Sequence, residues 1–201
     1  MEEAWPRFMA GLPEYNFPPL DPLFYEYGRV SFGPGIVNGE LIVSNVTLIG
    51  LSNSRVVDVT THYFNNTFHL DLDIKLPTLF IKGALDIDGT ISLIRIVNKG
   101  DFNLTAEDVM ESWKIAGHVI NDTWVVEQFH LVPSFKKFKV YHKSKPLYNE
   151  RLANFVVNFI NQFWPILSEA ALPFMSNYWD SWSADVTNKF FSKVSFSKIF
   201  P

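Results

Sequence analysis

The chain has 201 residues, 47% hydrophobic and 19% charged: enough apolar mass for one sizeable domain and too little charge for a disordered one. A formal net charge of -4 and a pI near 5.7 give no electrostatic basis for nucleic-acid binding. With no cysteine there is no disulfide framework, no thiol nucleophile and no thiolate zinc site.

The first informative segment runs from Leu12 to Glu26. Pro13, Pro18, Pro19 and Pro22 forbid a regular helix there, yet Leu12, Phe17, Leu20, Leu23 and Phe24 are too apolar for a solvated linker. The reading is an extended corner, with Leu20, Leu23 and Phe24 pressed inward to close one end of the fold and rim any opening there. Residues 28 to 140 then read as a succession of strands, beginning with Leu41 to Ile49 and Val56 to Tyr63. The clearest is Phe68 to Leu76. Phe68, Leu70, Leu72, Ile74 and Leu76 fall on one face, and His69, Asp71, Asp73 and Lys75 on the other. That is an antiparallel strand with one dry and one wet side. Leu79 to Ile87, carrying Leu79 and Ile81, continues after Pro77 and ends at an expected turn, Asp88-Gly89. Trp113 to Ile120, Thr123 to Val132 and Phe135 to Tyr141 complete roughly seven strands.

From Asn149 to about residue 191 the period changes to that of a helix. Leu152, Phe155, Val156, Phe159, Phe163, Ile166, Leu167, Ala170, Phe174, Tyr178 and Trp182 recur at helical spacing. Val157, Ile160, Trp164, Ala171, Met175 and Trp179 widen the stripe until little polar surface remains, which predicts burial on most sides. Pro165 and Pro173 predict a kink or break. A sheet with one dry face and one long apolar helix bury each other best if the sheet curls around the helix. The predicted fold is therefore α+β: a single domain over residues 1–201 in which a long, strongly curved antiparallel sheet wraps one C-terminal helix. No run of about 18 apolar residues predicts a membrane span.

Asn45, Asn65, Asn103 and Asn121 each open an N-x-[ST] sequon, and the first, second and fourth fall at outward or turn positions in this scheme. Together they favour the secretory pathway. The chain opens at Met1-Glu2-Glu3 without a signal peptide and reads as mature or truncated. Lys136, Lys137, Lys139, Lys143 and Lys145 read as an exposed strand edge, with an anion or membrane patch as the functional alternative.

Catalytic constellations are missing. There is no G-x-S-x-G elbow, no phosphate-binding G-x-x-x-x-G-K-[ST] loop and no H-E-x-x-H pair, and no two histidines stand four apart on the helix. No catalytic residue, catalytic cofactor or metal site is predicted. His69 belongs to the wet face, as do Asp71 and Asp73, around which no cavity is expected. His118 and His130 could face inward, as core histidines bonded to a backbone carbonyl or, on the functional alternative, meeting a polar ligand head group. Aromatics are the anomaly, at 16% of the chain. Rings meeting around a helix leave elongated gaps, and an apolar gap takes an apolar guest. The residues expected to line it are Phe68, Leu70, Leu72, Ile74, Leu79, Ile81, Trp113, Ile115, Trp124 and Val126 from strands. From the helix they are Phe155, Phe159, Phe163, Phe174, Met175, Tyr178 and Trp182.

Several short motifs, taken in order, resemble the insect takeout and juvenile-hormone-binding protein family. Gly11-Leu-Pro-Glu14 and Pro18-Pro-Leu-Asp-Pro-Leu23 are similar to its opening motif. Gly33-Pro-Gly35-Ile-Val-Asn38, Asn45-Val-Thr-Leu-Ile-Gly-Leu51, Pro77-Thr-Leu-Phe-Ile81, Asp88-Gly-Thr-Ile91 and Gly100-Asp-Phe102 continue the likeness, which ends with the helix from Asn149 and Phe196 to Pro201. The resemblance implies an elongated roll with a closed hydrophobic tunnel carrying a carotenoid, a fatty acid or other lipid, or a juvenile-hormone-like terpenoid through haemolymph, cuticle or other tissue. The family usually begins with a helix bearing two cysteines in a disulfide, which this chain lacks, so a latch at one tunnel mouth is in doubt.

The functional expectation is a secreted carrier working by burial alone, with transient membrane or receptor contact for ligand exchange. Few inward polar groups are evident, which leans toward an extended hydrocarbon guest such as a carotenoid or long acyl chain. The alternative is a secreted, glycosylated interaction protein with a filled core.

Overall fold

The computed structural model describes residues 5–33, 37–91, 93–145 and 149–200. A short helix, α1 (Trp5–Met9), and a 3-10 turn (Pro13–Tyr15) lead into β1 (Leu23–Phe32), β2 (Val37–Ile49), β3 (Arg55–Phe64), β4 (Thr67–Ile91), β5 (Ile94–Ile120), β6 (Thr123–Ser134) and β7 (Lys137–Ser144). The long helix α2 (Glu150–Phe191) and a closing turn, α3 (Phe196–Ile199), follow.

The strands form one antiparallel sheet whose spine is β4 and β5, paired from Phe68↔Gly117 to Ile91↔Ile94. With 25 and 27 residues these strands reach about 80–90 Å at about 3.3 Å per residue. β3 flanks the first half of β4, and β2 followed by β1 flanks the second. On the other side β7 flanks the first half of β5 and β6 the second.

Phe68–Leu76 and Leu79–Ile87 are thus one strand, not two. Pairing passes from Leu76↔Val109 to Thr78↔Glu107, omitting Pro77 and Asp108. Pro77 has no N–H for a ladder, and Asp108 opposite it takes a φ of 50°. The buried side changes parity at this rung on both strands: Ile74 and Leu76 give way to Leu79, and Val109 to Ala106. The proline bends the sheet without ending the strand. The expected turn at Asp88-Gly89 is also strand, because Gly89 is paired with Gly39 on β2 and Ile96 on β5. A Cβ on Gly39, whose φ is 150°, would lie 2.4 Å from the Gly89 Cα, so the close approach of β2 and β4 explains a glycine there. β5 starts well before Trp113, and its first half escaped notice because Asn98 and Gly100 occupy inward positions that alternation expects to be apolar.

α2 runs unbroken through Pro165 and Pro173. Each proline costs a helix about 3 kcal/mol, and side-chain ties along its length offset this. Asn149 caps its start, accepting from Leu152 N at 3.1 Å. Asn161 accepts from Val140 N at 2.7 Å and donates to Val140 O at 2.8 Å; Asn188 does the same at Val126, at 2.8 and 2.7 Å. Between them Asp180 accepts from Leu131 N at 3.2 Å and Trp179 Nε1 donates to Leu131 O at 3.3 Å. The outer edges of β6 and β7 would otherwise present unpaired main-chain groups, and α2 satisfies those of Val126, Leu131 and Val140.

Two apolar clusters meet the C-terminal end of α2. At the β5–β6 hairpin end, Phe68, Trp124 and Phe191 pack with Phe196 and Phe200, whose rings lie 4.8 Å from Phe68. Asp122 holds this plug, accepting from Ser195 Oγ at 2.5 Å and Ser197 N at 2.8 Å. Those bonds hold its carboxyl below the usual range, the Ser195 hydroxyl contributing most. The N-terminal segment packs Met9, Phe17 and Leu20 on Val186, while Asp21 accepts from Ser52 N at 2.7 Å. Leu20 is buried and Leu23 half-buried, as expected, but Phe24 is 69% exposed because β1 has already begun and turns it outward.

Candidate functional site

The side of the sheet that buries its residues is the inner face, and it holds most of the strand residues expected to line a cavity. Phe68, Leu70, Ile115, Trp124 and Val126 are buried together against the C-terminal phenylalanines, with Leu72 and Trp113 packed beside them. They fill the plugged end. Ile74 and Leu79 belong to a second cluster beside the bend, with Ile81, Leu104 and Phe138 partly buried around it. Trp182 packs into the N-terminal cluster. Phe174, Met175 and Tyr178 lie on α2, and their side chains fall outside the described residues.

The remaining helix candidates fall elsewhere. At about 100° per residue, Phe155, Phe159, Phe163 and Ile166 point within about 60° of directly opposite Asn161, the residue that ties α2 to β7. They are left 40–69% exposed, Phe155 and Ile166 the most. The helix is therefore not covered on most sides. Its first half keeps a continuous apolar stripe without protein cover, while Trp164 on the neighbouring face stacks on Phe135 at 5.0 Å.

Polar groups also enter the inner face, contrary to the expectation of few. Glu111 alternates with Val109 and Trp113, pairs across to Ile74, and is 6% exposed. Trp113 Nε1 donates to its Oε2 at 2.9 Å. Burial pushes its carboxyl up from the ordinary 4.5, the indole bond opposing more weakly. Nearer the β4–β5 hairpin, His142 Nε2 donates to the buried Asn98 Oδ1 at 2.9 Å, and Asn98 Nδ2 donates to Ser144 Oγ at 3.0 Å. Burial lowers the His142 pKa against a smaller pull from Asp101, and Nδ1 has no hydrogen-bond partner of regular geometry. The sequence signal for Glu111 was parity with Trp113 and Ile115, and for Asn98 parity with Ile96, in a half of β5 where polar residues and Gly100 interrupt the alternation.

The histidines expected to turn inward do not. His130 is exposed and pairs with Asp180 at 2.9 Å, and His118 pairs with Glu127 at 3.1 Å. Each stands between inward neighbours, Phe129 and Leu131 or Gly117 and Val119, so the pleat sends it outward. His62 stacks on His69 across β3 and β4 with centroids 4.7 Å apart, over an outer-face groove of about 320 Å³ that Asp71, Lys114 and His130 also line. Asp71 thus borders a shallow groove where none was expected. Among the described residues no group of three or more His, Asp or Glu is placed to hold a metal, and no helix is long and apolar enough to cross a membrane. Asn45, Asn65, Asn103 and Asn121 are all exposed.

Comparison with known proteins bears on the same frame. The model for the haemolymph juvenile hormone binding protein (JHBP) family matches residues 1–201. The chain belongs to the JHBP family. Takeout 1 of Epiphyas postvittana has the same fold, with a TM-score of 0.77 at 18% identity, over 98% of this chain and 91% of that one. The circadian clock-controlled protein daywake of Drosophila yakuba is 26% identical over 118 residues, which is 56% of this chain and 45% of the relative. That of Drosophila melanogaster is 29% identical over 110 residues, 51% of this chain and 41% of the relative. These matches span less than half the length of the curated relatives.

Proposed function

We propose that this chain is a secreted carrier that holds an extended hydrophobic small molecule in an apolar tunnel walled by the inner face of the sheet and by the exposed stripe of α2. The observation that carries the reading is the stripe of Phe155, Phe159, Phe163 and Ile166, apolar surface on a helix whose other faces are docked or polar. Exposed rings in a row of this size mark a binding surface. The plugged end by Phe196 and Phe200 and the N-terminal cluster leave the first half of α2 as the side where a guest enters. A guest losing about 300–500 Å² of apolar surface gains about 8–12 kcal/mol gross. Ordering costs subtract several kcal/mol, leaving about micromolar to nanomolar affinity. Carotenoids, long-chain lipids and juvenile-hormone-like terpenoids all have the apolarity such a guest needs. The four exposed sequon asparagines favour glycosylation and an extracellular setting such as haemolymph or cuticle.

Absorption spectra and mass spectrometry of an organic extract of the protein from its natural source test the reading, together with native mass spectrometry. A stoichiometric apolar molecule in the extract is expected. An empty protein that also fails to take up a fluorescent apolar probe would favour the filled-core alternative, an interaction protein.

A further inference from the structure

Glu111 is out of keeping with its surroundings. Its neighbours on the inner face are Val109 and Trp113 on its own strand and Ile74 across the ladder, with Pro133 of β6 on the other side. A single indole N–H holds Oε2. No described group bonds the other oxygen, and no lysine, arginine or histidine pairs with the carboxyl. A carboxyl buried with one neutral donor destabilises a fold, where leucine of similar size would not. Groups kept at such a cost in a cleft point to binding or catalysis more often than ordinary core positions do. The side chain stands six rungs along β4 from the Phe68 plug, about 20 Å at about 3.3 Å per rung, and thus well inside the sheet.

We propose that Glu111 determines which lipid the cavity accepts: it meets the oxygen of an uncharged, oxygen-bearing apolar molecule, a ketone, ester or alcohol, and turns away fatty-acid anions. The inference rests on the carrier reading and narrows it. A protonated Glu111 donates to a carbonyl oxygen, and a carboxylate accepts from a hydroxyl. A ligand carboxylate at the same place buries one negative charge when Glu111 is protonated and two when it is not. A pure hydrocarbon leaves the free oxygen unpaired and gains nothing from it.

The test uses the whole protein, wild type, E111Q and E111L, with N-phenyl-1-naphthylamine as fluorescent probe and 2-heptadecanone, methyl palmitate, hexadecan-1-ol and palmitate as competitors at about pH 7.5. In wild type the ketone, ester and alcohol are expected to bind at least about tenfold tighter than palmitate. E111L should lower the ratio of ketone to probe affinity about tenfold. E111Q, which keeps a donor and removes the charge, should hold that ratio and tighten palmitate. A ketone-to-probe ratio equal in wild type and E111L overturns the proposal. Should E111L fail to fold, palmitate binding no tighter to E111Q than to wild type overturns it as well. Failure of wild type to bind probe or any competitor overturns the carrier reading itself, a result distinct from a selective loss.

Discussion

At the scale of single residues, Glu111 sets a stability signature separate from any ligand. Burial raises its pKa, so the folded chain binds its proton more tightly than the unfolded chain does. Where the folded state holds more protons, stability falls as pH rises. The loss begins near the ordinary value of 4.5 and grows through the raised folded value. E111Q, of the same shape and never charged, should therefore be the more stable protein at about pH 8, with the gap closing toward about pH 4. Urea unfolding of both across that range measures it, and a wild type as stable as E111Q at the alkaline end would show that the carboxyl carries no burial cost. The residue was hard to foresee. Alternation places it with Trp113 and Ile115, but the strand seemed to begin at Trp113, and a glutamate just ahead of a strand passes for a surface residue.

At the scale of elements, α2 is held by amides acting in the manner of a sheet edge. Removing Asn161 leaves both the N–H and C=O of Val140 without their partner, and Asn188 stands in the same relation to Val126. Asn161→Ala and Asn188→Ala should each cost about 1–3 kcal/mol. About 40 Å of helix separates the two sites at about 1.5 Å per residue, so the double variant should equal the sum within about 0.5 kcal/mol. Denaturant midpoints decide this; single variants as stable as wild type would mean that water serves the edge equally well. The helix itself was legible from the spacing of Phe155, Phe159 and Phe163, and the dry face of Phe68 to Leu76 from simple alternation. The ties were not legible, because a polar residue on a helix looks the same in sequence whether it faces water or a strand edge. The same holds for the exposed Phe stripe: helical period says which residues share a side, not whether anything covers it. The fusion of two predicted strands into β4 was hidden by Pro77, which shifts the phase of the pattern and so imitates a chain break.

At the scale of the whole molecule, the two ends differ. One is stoppered by Phe196 and Phe200 on Phe68 and Trp124, with Asp122 fastening the C-terminal turn. The other leaves the aromatic stripe of α2 uncovered. Phe196→Ala with Phe200→Ala should cost about 1–3 kcal/mol per site and, on the carrier reading, speed probe release by opening a second exit. Stopped-flow dissociation of N-phenyl-1-naphthylamine tests this, and an unchanged rate in a variant that has lost stability would mean that the plug is structural alone. The order of elements along the chain has a further consequence. β4 and β5 are joined by the tight hairpin near Leu93, so the longest pairing in the molecule closes with almost no loop. α2, in contrast, leaves a ribosome after every strand of the sheet. At about 5–20 residues per second, several seconds pass between the completion of β5 and the arrival of Asn161 and Asn188. For that interval a nascent sheet stands with its greasy wall bare and two raw borders exposed, and the cell must shelter it until the helix arrives to seal it.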